Sequence, residues 1–185
     1  MAFRMIYTIA LIFFFCFVVA PDVNAAKIAD TVIPTKVHDV LERYASTIGC
    51  EFSFDKENVV QFDVDDNGTN EFIAVFFLDV GCSGGTAMGT SIFAVLDLDD
   101  HGRLLVRSVQ SQPAIASFGF PRFIDKIFLK QGKLYYSAKD YDWSKDALCC
   151  PSLQIEDSFS LRKSVVIASN GESLEIWYWM SEGSH

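Results

Sequence analysis

The segment Asp63–Glu71 carries oxygen-bearing side chains at a spacing that suits a calcium ion. Asp63, Asp65, Asn67 and Glu71 stand at positions 1, 3, 5 and 9 of the segment, and Gly68 stands at position 6. Oxygen ligands suit a hard cation, and a glycine at the sixth position permits the sharp turn of a calcium loop. The spacing therefore predicts these side chains as calcium ligands. The alternative, which we favour, is an acidic hairpin turn that binds no ion.

This segment resembles the calcium loop of FG-GAP or VCBS-type repeats, in which Asp-x-Asp-x-Asn-Gly-x-x-Asp joins two strands. The resemblance covers Val60–Val75 and implies the same side-chain ligands, with the carbonyl of Thr69 as a further one. An EF-hand is excluded, because Ala74 stands where a bidentate glutamate is needed. A second segment, Asp97–Gly102, begins in the same way but has Leu105 at its ninth position. We expect a plain acidic turn there.

Ser83 lies in a run that matches Gly-x-Ser-x-Gly, the nucleophile motif of serine hydrolases. The motif needs a strand before the serine, a helix after it and a histidine placed as the base. The residues after Ser83 predict a strand instead of a helix. The three histidines, His38, His101 and His185, lie on a predicted helix, in a turn and at the last position. We therefore predict a protein that is not an enzyme, and a small serine hydrolase is the least favoured alternative.

Tyr141, Asp142 and Trp143 lie in a loop where aromatic side chains alternate with carboxylates. Tyrosine and tryptophan supply much of the binding energy in protein interfaces. The loop is therefore predicted to form a partner-binding surface. The alternative is that Trp143 packs into the end of the sheet as part of the core.

The first 25 residues have the organisation of a secretory signal peptide. A short start with Arg4 precedes the 13-residue apolar run Thr8–Ala20, and a cleavage site follows before Ala26. Such a run is too short to span a bilayer comfortably, although an N-terminal membrane anchor is the alternative. We expect residues 1–25 to be removed and residues 26–185 to form a single periplasmic or secreted domain.

The cysteines of this domain predict disulfides, because an exported chain meets an oxidising compartment. They are Cys50, Cys82, Cys149 and Cys150. A bond between the neighbours Cys149 and Cys150 would close a strained ring. We therefore expect Cys50 and Cys82 each to pair with one of them. The spacing fits no zinc site.

Two motifs that contain these cysteines also indicate an exported protein. Cys82-Ser-Gly-Gly and Cys149-Cys-Pro-Ser152 together resemble a pair of motifs in small, mostly uncharacterised exported bacterial proteins. The resemblance spans Val60–Ser152 and implies an exported β-rich domain without implying an activity.

One helix and a series of strands must position all these residues. Apolar residues at helical spacing predict a helix between Thr35 and Ile48, and Phe72–Leu78 predicts a strand buried on both faces. Further strands are predicted at Glu51–Phe54, Val59–Val64, Ser91–Leu98, Arg103–Val109, Ile124–Leu129, Lys133–Ala138, Leu153–Arg162, Val165–Ala168 and Leu174–Trp179. The short connections indicate a mainly β (α+β) fold: an antiparallel, curled or two-layer sheet with one N-terminal helix, stapled by disulfides.

The negative net charge excludes some classes of binding function and favours others. The chain has 15 Lys+Arg and 24 Asp+Glu, a formal net charge of −9, and residues 1–25 contribute one of each sign. Such acidity argues against binding to nucleic acid and to anionic membranes. It favours fast association with a basic partner. We therefore expect an exported binding, inhibitor or immunity-type module for a basic envelope-acting enzyme or toxin, with a calcium-stabilised structural or adhesion domain as the alternative.

Overall fold

The computed structural model describes residues 35–82, 89–112, 116–147, 150–167 and 172–183. The expected signal peptide, Ser83 and Cys149 lie outside these ranges. The described residues form one α-helix, α1 (35–45), and two sheets. The first sheet contains β1 (Phe52–Ser53), β2 (Val59–Phe62), β3 (Glu71–Asp79), β4 (Gly89–Leu98) and β5 (Leu104–Val106). The second contains β6 (Ala116–Phe118), β7 (Phe123–Lys130), β8 (Lys133–Asp140), β9 (Leu153–Ile167) and β10 (Ser173–Ser181).

Strand β3 is the centre of the first sheet. It pairs antiparallel with β4, and β4 pairs antiparallel with β5. The short strands β1 and β2 follow one another along the other edge of β3. Strand β5 therefore lies at the outer edge of this sheet, next to β4.

The second sheet has the order β6-β10-β9-β8-β7. All its pairings are antiparallel except that of β6 with β10, which is parallel. The predicted antiparallel β fold with one helix is thus confirmed. Strand β6 was not predicted, because three residues are too few to show an alternating pattern. Strand β9 is continuous where two strands were expected, since its pairing with β10 runs on through Arg162, Lys163 and Ser164.

The core lies in two layers, one on each face of the first sheet. Strand β3 turns Phe72 and Phe76 toward the helix and Ile73 and Val75 toward the second sheet, so it is buried on both faces as predicted. The helix covers its side with fully buried residues spaced by four positions, Val37, Leu41 and Ala45. Each large apolar side chain buried in this way contributes about 1.5–3 kcal/mol. These two layers of the core hold the strands whose ends carry the acidic hairpins.

The expected pairing of the cysteines is wrong. Cys50 is bonded to Cys82, with the two Cα atoms 5.3 Å apart. The register of β1 against β3 explains this, because Phe52 lies opposite Leu78 and the N–H of Cys50 donates to the carbonyl of Asp79. Cys150 is also disulfide-bonded.

Candidate functional site

The hairpin between β2 and β3, residues 63–70, is held by its own side chains. The carboxylate of Asp63 accepts hydrogen bonds from the N–H groups of Asn67 (3.0 Å) and Gly68 (2.7 Å). The side-chain oxygen of Asn67 accepts one from the N–H of Thr69 at 2.8 Å. Gly68 has a φ of +87°, which glycine adopts without strain. Two of the predicted calcium ligands therefore close the turn by accepting backbone hydrogen bonds.

Arg107, which follows β5, places its guanidinium among the carboxylates of this hairpin. Its Nη1 donates to Asp65 Oδ2 at 2.8 Å and to Gln110 Oε1 at 3.0 Å. Its Nη2 donates to Glu71 Oε1 at 2.9 Å, and its Nε donates to the carboxylate of Asp97. Arg107 thus connects the first acidic hairpin to the end of β4. We call Asp65, Glu71, Asp97 and Arg107 the arginine cluster.

Glu71 is the most deeply buried member of the arginine cluster. Its side chain has 0% of its surface exposed, against 15% for Asp65, 22% for Arg107 and 37% for Asp97. A buried carboxylate needs a counter-charge and hydrogen-bond donors. Arg107 supplies the charge, and the N–H of Val64 donates to Glu71 Oε2 at 3.0 Å. Burial acts to lower the pKa of Arg107, but the surrounding carboxylates, Asp97 foremost, outweigh it and raise that pKa above its usual value.

The structure brings three of the four predicted calcium ligands together. One carboxylate oxygen from each of Asp63, Asp65 and Glu71 lies within 4.8 Å of the others. Asp65 Oδ1 is buried and has no hydrogen-bond partner among the described residues. Arg107, however, already donates to Asp65 and to Glu71, so the group holds a positive charge supplied by the chain itself. Arg107 was not predicted as part of this site, and its one signal in the sequence is a charged residue directly after the apolar strand β5.

The second acidic hairpin is closed by Asp99. Its Oδ1 accepts hydrogen bonds from the N–H groups of His101 (2.9 Å) and Arg103 (2.8 Å). Its Oδ2 accepts one from Nε of Arg103 at 2.7 Å. These bonds, that from the backbone of Arg103 first, lower the pKa of Asp99. The geometry is that of an acidic turn whose carboxylate is used within the turn.

Residues 141–147, between β8 and β9, form a loop that we call the aromatic loop. Trp143 has 77% of its surface exposed. Its ring stacks on that of Tyr141, with the centroids 5.0 Å apart and the planes inclined by 27°. The alternative that Trp143 packs into the end of the sheet is therefore wrong. The exposed ring of Trp143 and the half-buried ring of Tyr141 therefore form one continuous aromatic surface.

Two carboxylates hold the backbone of the aromatic loop. Asp146 accepts hydrogen bonds from the N–H of Asp142 (2.9 Å) and from the N–H (2.8 Å) and hydroxyl (2.7 Å) of Ser152. Asp142 accepts from the N–H of Ser144 (3.1 Å) and the ammonium group of Lys145 (2.7 Å). These donors lower the pKa of Asp146, through Ser152 first, and that of Asp142, through Lys145 first. Asp142 thus shapes the loop that presents the rings.

The structure describes only some of the residues that a serine hydrolase would use. Ser83 lies outside the described residues. His38, on α1, packs its ring against Phe52 at a centroid distance of 5.5 Å, and His101 lies in the second acidic hairpin. Each of these histidines thus lies in local packing or in a turn.

No known protein family, curated protein or solved structure matches the chain. The resemblance of the first hairpin to FG-GAP or VCBS-type calcium loops therefore stays a prediction. Within the described part of the chain, no helix is both long enough and apolar enough to cross a membrane.

Proposed function

We propose that this protein is an exported binding module, of the inhibitor or immunity type, that engages a basic protein partner through the aromatic loop. The observation that carries the proposal is Trp143, which exposes 77% of its surface on a loop held by hydrogen bonds. A large aromatic side chain that is exposed on an ordered segment is a sign of a binding surface, because its apolar ring remains in contact with water. Burial of that ring against a partner would be favourable in free energy.

The arrangement of the rings before binding supports a role in recognition. Tyr141 and Trp143 are already stacked, and Asp146 holds both Asp142 and Ser152, the residue before β9. Ordering a flexible side chain at an interface costs about 0.5–1.5 kcal/mol. A loop that is held in advance avoids part of this cost, and rigid aromatic side chains are typical anchors of binding surfaces.

The charge of the protein supports a basic partner. The chain carries a formal net charge of −9, and such a field attracts a basic protein over distances of about a Debye length. Within the aromatic loop, Asp142 and Asp146 use their oxygens for internal hydrogen bonds. Their charge therefore acts on the rate of association more than through direct ion pairs. The disulfides are compatible with the oxidising compartment that this proposal requires.

Affinity capture tests the proposal. The oxidised domain, residues 26–185, is immobilised and exposed to the cell-envelope fraction of its own source and of neighbouring organisms. The Trp143→Ala variant is compared with Leu129→Ala, which truncates another exposed apolar side chain, 47% exposed, in the second sheet. A hot-spot aromatic contributes about 2 kcal/mol or more. We expect Trp143→Ala to weaken capture about 30-fold and Leu129→Ala to leave it unchanged.

The salt dependence of capture gives a second criterion. A basic partner steered by charge should be released as ionic strength rises. The proposal fails if the captured proteins are neutral or acidic, or if both variants capture the same proteins equally well.

A calcium-stabilised structural or adhesion domain is the second candidate function. It is favoured by Asp65 Oδ1, a buried carboxylate oxygen without a hydrogen-bond partner among the described residues. Thermal melting in calcium and in a chelator decides between a calcium site and an acidic turn. A midpoint that rises with calcium supports the site, and an unchanged midpoint rejects it.

A further inference from the structure

Strand β5 presents a row of backbone groups at the outer edge of the first sheet. The N–H of Arg107 donates to the carbonyl of Val95 at 2.8 Å, and the carbonyl of Arg103 accepts from the N–H of Asp99 at 2.9 Å. Because alternate residues of an antiparallel strand face the partner strand, the peptide groups of Leu104 and Val106 point away from β4. No described strand pairs with β5 on that side.

Two grooves run along this edge, one on each face of the sheet. The groove on the helix side has a volume of about 570 Å³ and lies between α1 and β5, where Lys36, Asp39, Val40 and Arg43 of the helix line it. The groove on the hairpin side has a volume of about 610 Å³ and is lined by residues of both acidic hairpins and by Leu105. A strand added to β5 would point successive side chains into the two grooves in turn.

The two grooves differ in the charge that they offer. Lys36 and Arg43 are exposed and make no ion pair with another described residue. They outnumber the one carboxylate that lines this groove, Asp39, which lies 3.6 Å from Nδ1 of His38. On the hairpin side, Asp97 shares Arg107 with Asp65 and Glu71, and Asp99 is paired with Arg103, so this side keeps a net negative charge and disfavours acidic side chains. Leu105 lies on that side and is 51% exposed. The helix side therefore suits acidic side chains, and the hairpin side suits an aliphatic one.

We propose that the edge of β5 binds an extended segment of a partner protein in which acidic and aliphatic side chains alternate. The segment adds a strand beside β5, so that the peptide groups of Leu104 and Val106 form its hydrogen bonds. The acidic side chains face Lys36 and Arg43, and an aliphatic side chain covers Leu105. This site does not use the aromatic loop, so it can fail or succeed independently of the function proposed above.

Peptide binding to the oxidised domain, residues 26–185, tests the inference. The probe is a fluorescent eight-residue peptide of alternating Glu and Val, compared with one of alternating Lys and Val by fluorescence anisotropy. Pairs between exposed charges contribute about 0.2–1 kcal/mol each, and both ion pairs become repulsive in the second peptide. We expect the Glu-Val peptide to bind at least about tenfold more tightly. The double substitution Lys36→Glu with Arg43→Glu should reverse that preference.

Val106→Pro tests the role of the backbone. Proline removes the outward N–H of Val106 but none of the hydrogen bonds to β4, and Val106→Ala is the matched control that keeps this N–H. We expect Val106→Pro to abolish binding of the Glu-Val peptide and Val106→Ala to retain it. In the free protein, the amides of Leu104 and Val106 should exchange with solvent quickly, and the peptide should slow both.

Several results would overturn the inference. One is binding of both peptides with equal affinity or of neither. Another is slow exchange of the Leu104 and Val106 amides in the free protein, since the edge would then be covered already. If that protection depended on protein concentration, a second copy of the chain would be the occupant. If it disappeared on deletion of residues 26–34, the occupant would be the chain's own N-terminal segment.

Discussion

Replacement of Arg107 by methionine should cause one of the largest losses of stability that a single change produces in this protein. Methionine keeps most of the length of the side chain but removes the guanidinium from the arginine cluster. The substitution leaves the Glu71 carboxylate, whose side chain is 0% exposed, with the N–H of Val64 as its remaining described donor. It also removes the donors to Asp65 and Asp97.

The magnitude follows from the burial of the partners. Removing one member of a buried ion pair costs about 3–5 kcal/mol, because a charge is left without compensation in a poorly solvated place. An ion pair between exposed side chains contributes only about 0–1 kcal/mol. The pair Lys130–Glu156 is of the exposed kind, with 52% and 46% of the side-chain surfaces exposed. Lys130→Met is therefore the matched control, and it should cost less than about 1 kcal/mol.

Urea unfolding of the oxidised protein at pH 7 measures these free energies. For a domain of this size, a loss of 3–5 kcal/mol lowers the melting temperature by about 6–20 °C. The double variant Arg107→Met with Glu71→Gln should lose less than the sum of the two single losses, because the two groups interact directly. Calcium should stabilise Arg107→Met more than the wild type, since the carboxylates of the cluster have lost their shared cation. A loss for Arg107→Met no larger than that for Lys130→Met would refute the reasoning.

Three further predictions concern the disulfide, a buried hydroxyl and the aromatic loop. Cys50→Ser with Cys82→Ser should cost about 4 kcal/mol, because the bond closes a loop with a sequence separation of 32. Ser181→Ala should cost about 1–3 kcal/mol in urea unfolding, because it removes the partner of the buried Tyr136 hydroxyl, 3.0 Å away. The carboxyl of Asp146 should titrate below its ordinary pKa of 3.8 by NMR. Since its pKa is lowered on folding, its contribution to stability is present above that ordinary value and is lost as the pH falls through the folded-state pKa.

Each of these predictions has a control within the chain. Peptide mapping of the non-reduced protein must recover Cys50 linked to Cys82, and any other linkage contradicts the account of the β1–β3 register. Ser160→Ala removes an exposed hydroxyl bonded to Glu182 and should cost less than about 0.5 kcal/mol. Ser152→Ala should raise the pKa of Asp146, because Ser152 is the first cause of its shift. An unchanged Asp146 titration in that variant counts against the described loop.

The apolar strands of the first sheet could be predicted because their pattern is local. Phe72–Leu78 has no polar residue on either face, and burial on both faces is the arrangement that such a run requires. The helix could also be predicted, because Val37 and Leu41 recur at helical spacing, and both are fully buried. Strand β6 was missed, because its place beside β10 depends on a pairing partner more than fifty residues away in the chain.

The arginine cluster and the disulfide were not accessible to the same reasoning. Arg107 meets Asp65 across 42 residues and Glu71 across 36, and no local period predicts such contacts. The pairing of Cys50 with Cys82 depends on the register of β1, a strand of two residues. The predicted pairing relied instead on the strain of a ring between neighbouring cysteines, which takes no account of which strands lie side by side. The sequence also does not reveal the hydrogen bonds that Asp146 accepts from Asp142 and Ser152, which hold the loop that carries Trp143.

The dissociation constant of a captured partner, measured for the wild type and for Trp143→Ala, tests the central claim most directly. The claim is that this protein is a binding module whose main contact is the exposed ring of Trp143, stacked on Tyr141 in the aromatic loop. We predict a loss of affinity of about 30-fold or more on removal of the Trp143 ring, with the fold of the variant unchanged by circular dichroism. Affinity should also fall in both proteins as salt is added. An unchanged dissociation constant for Trp143→Ala would contradict the claim.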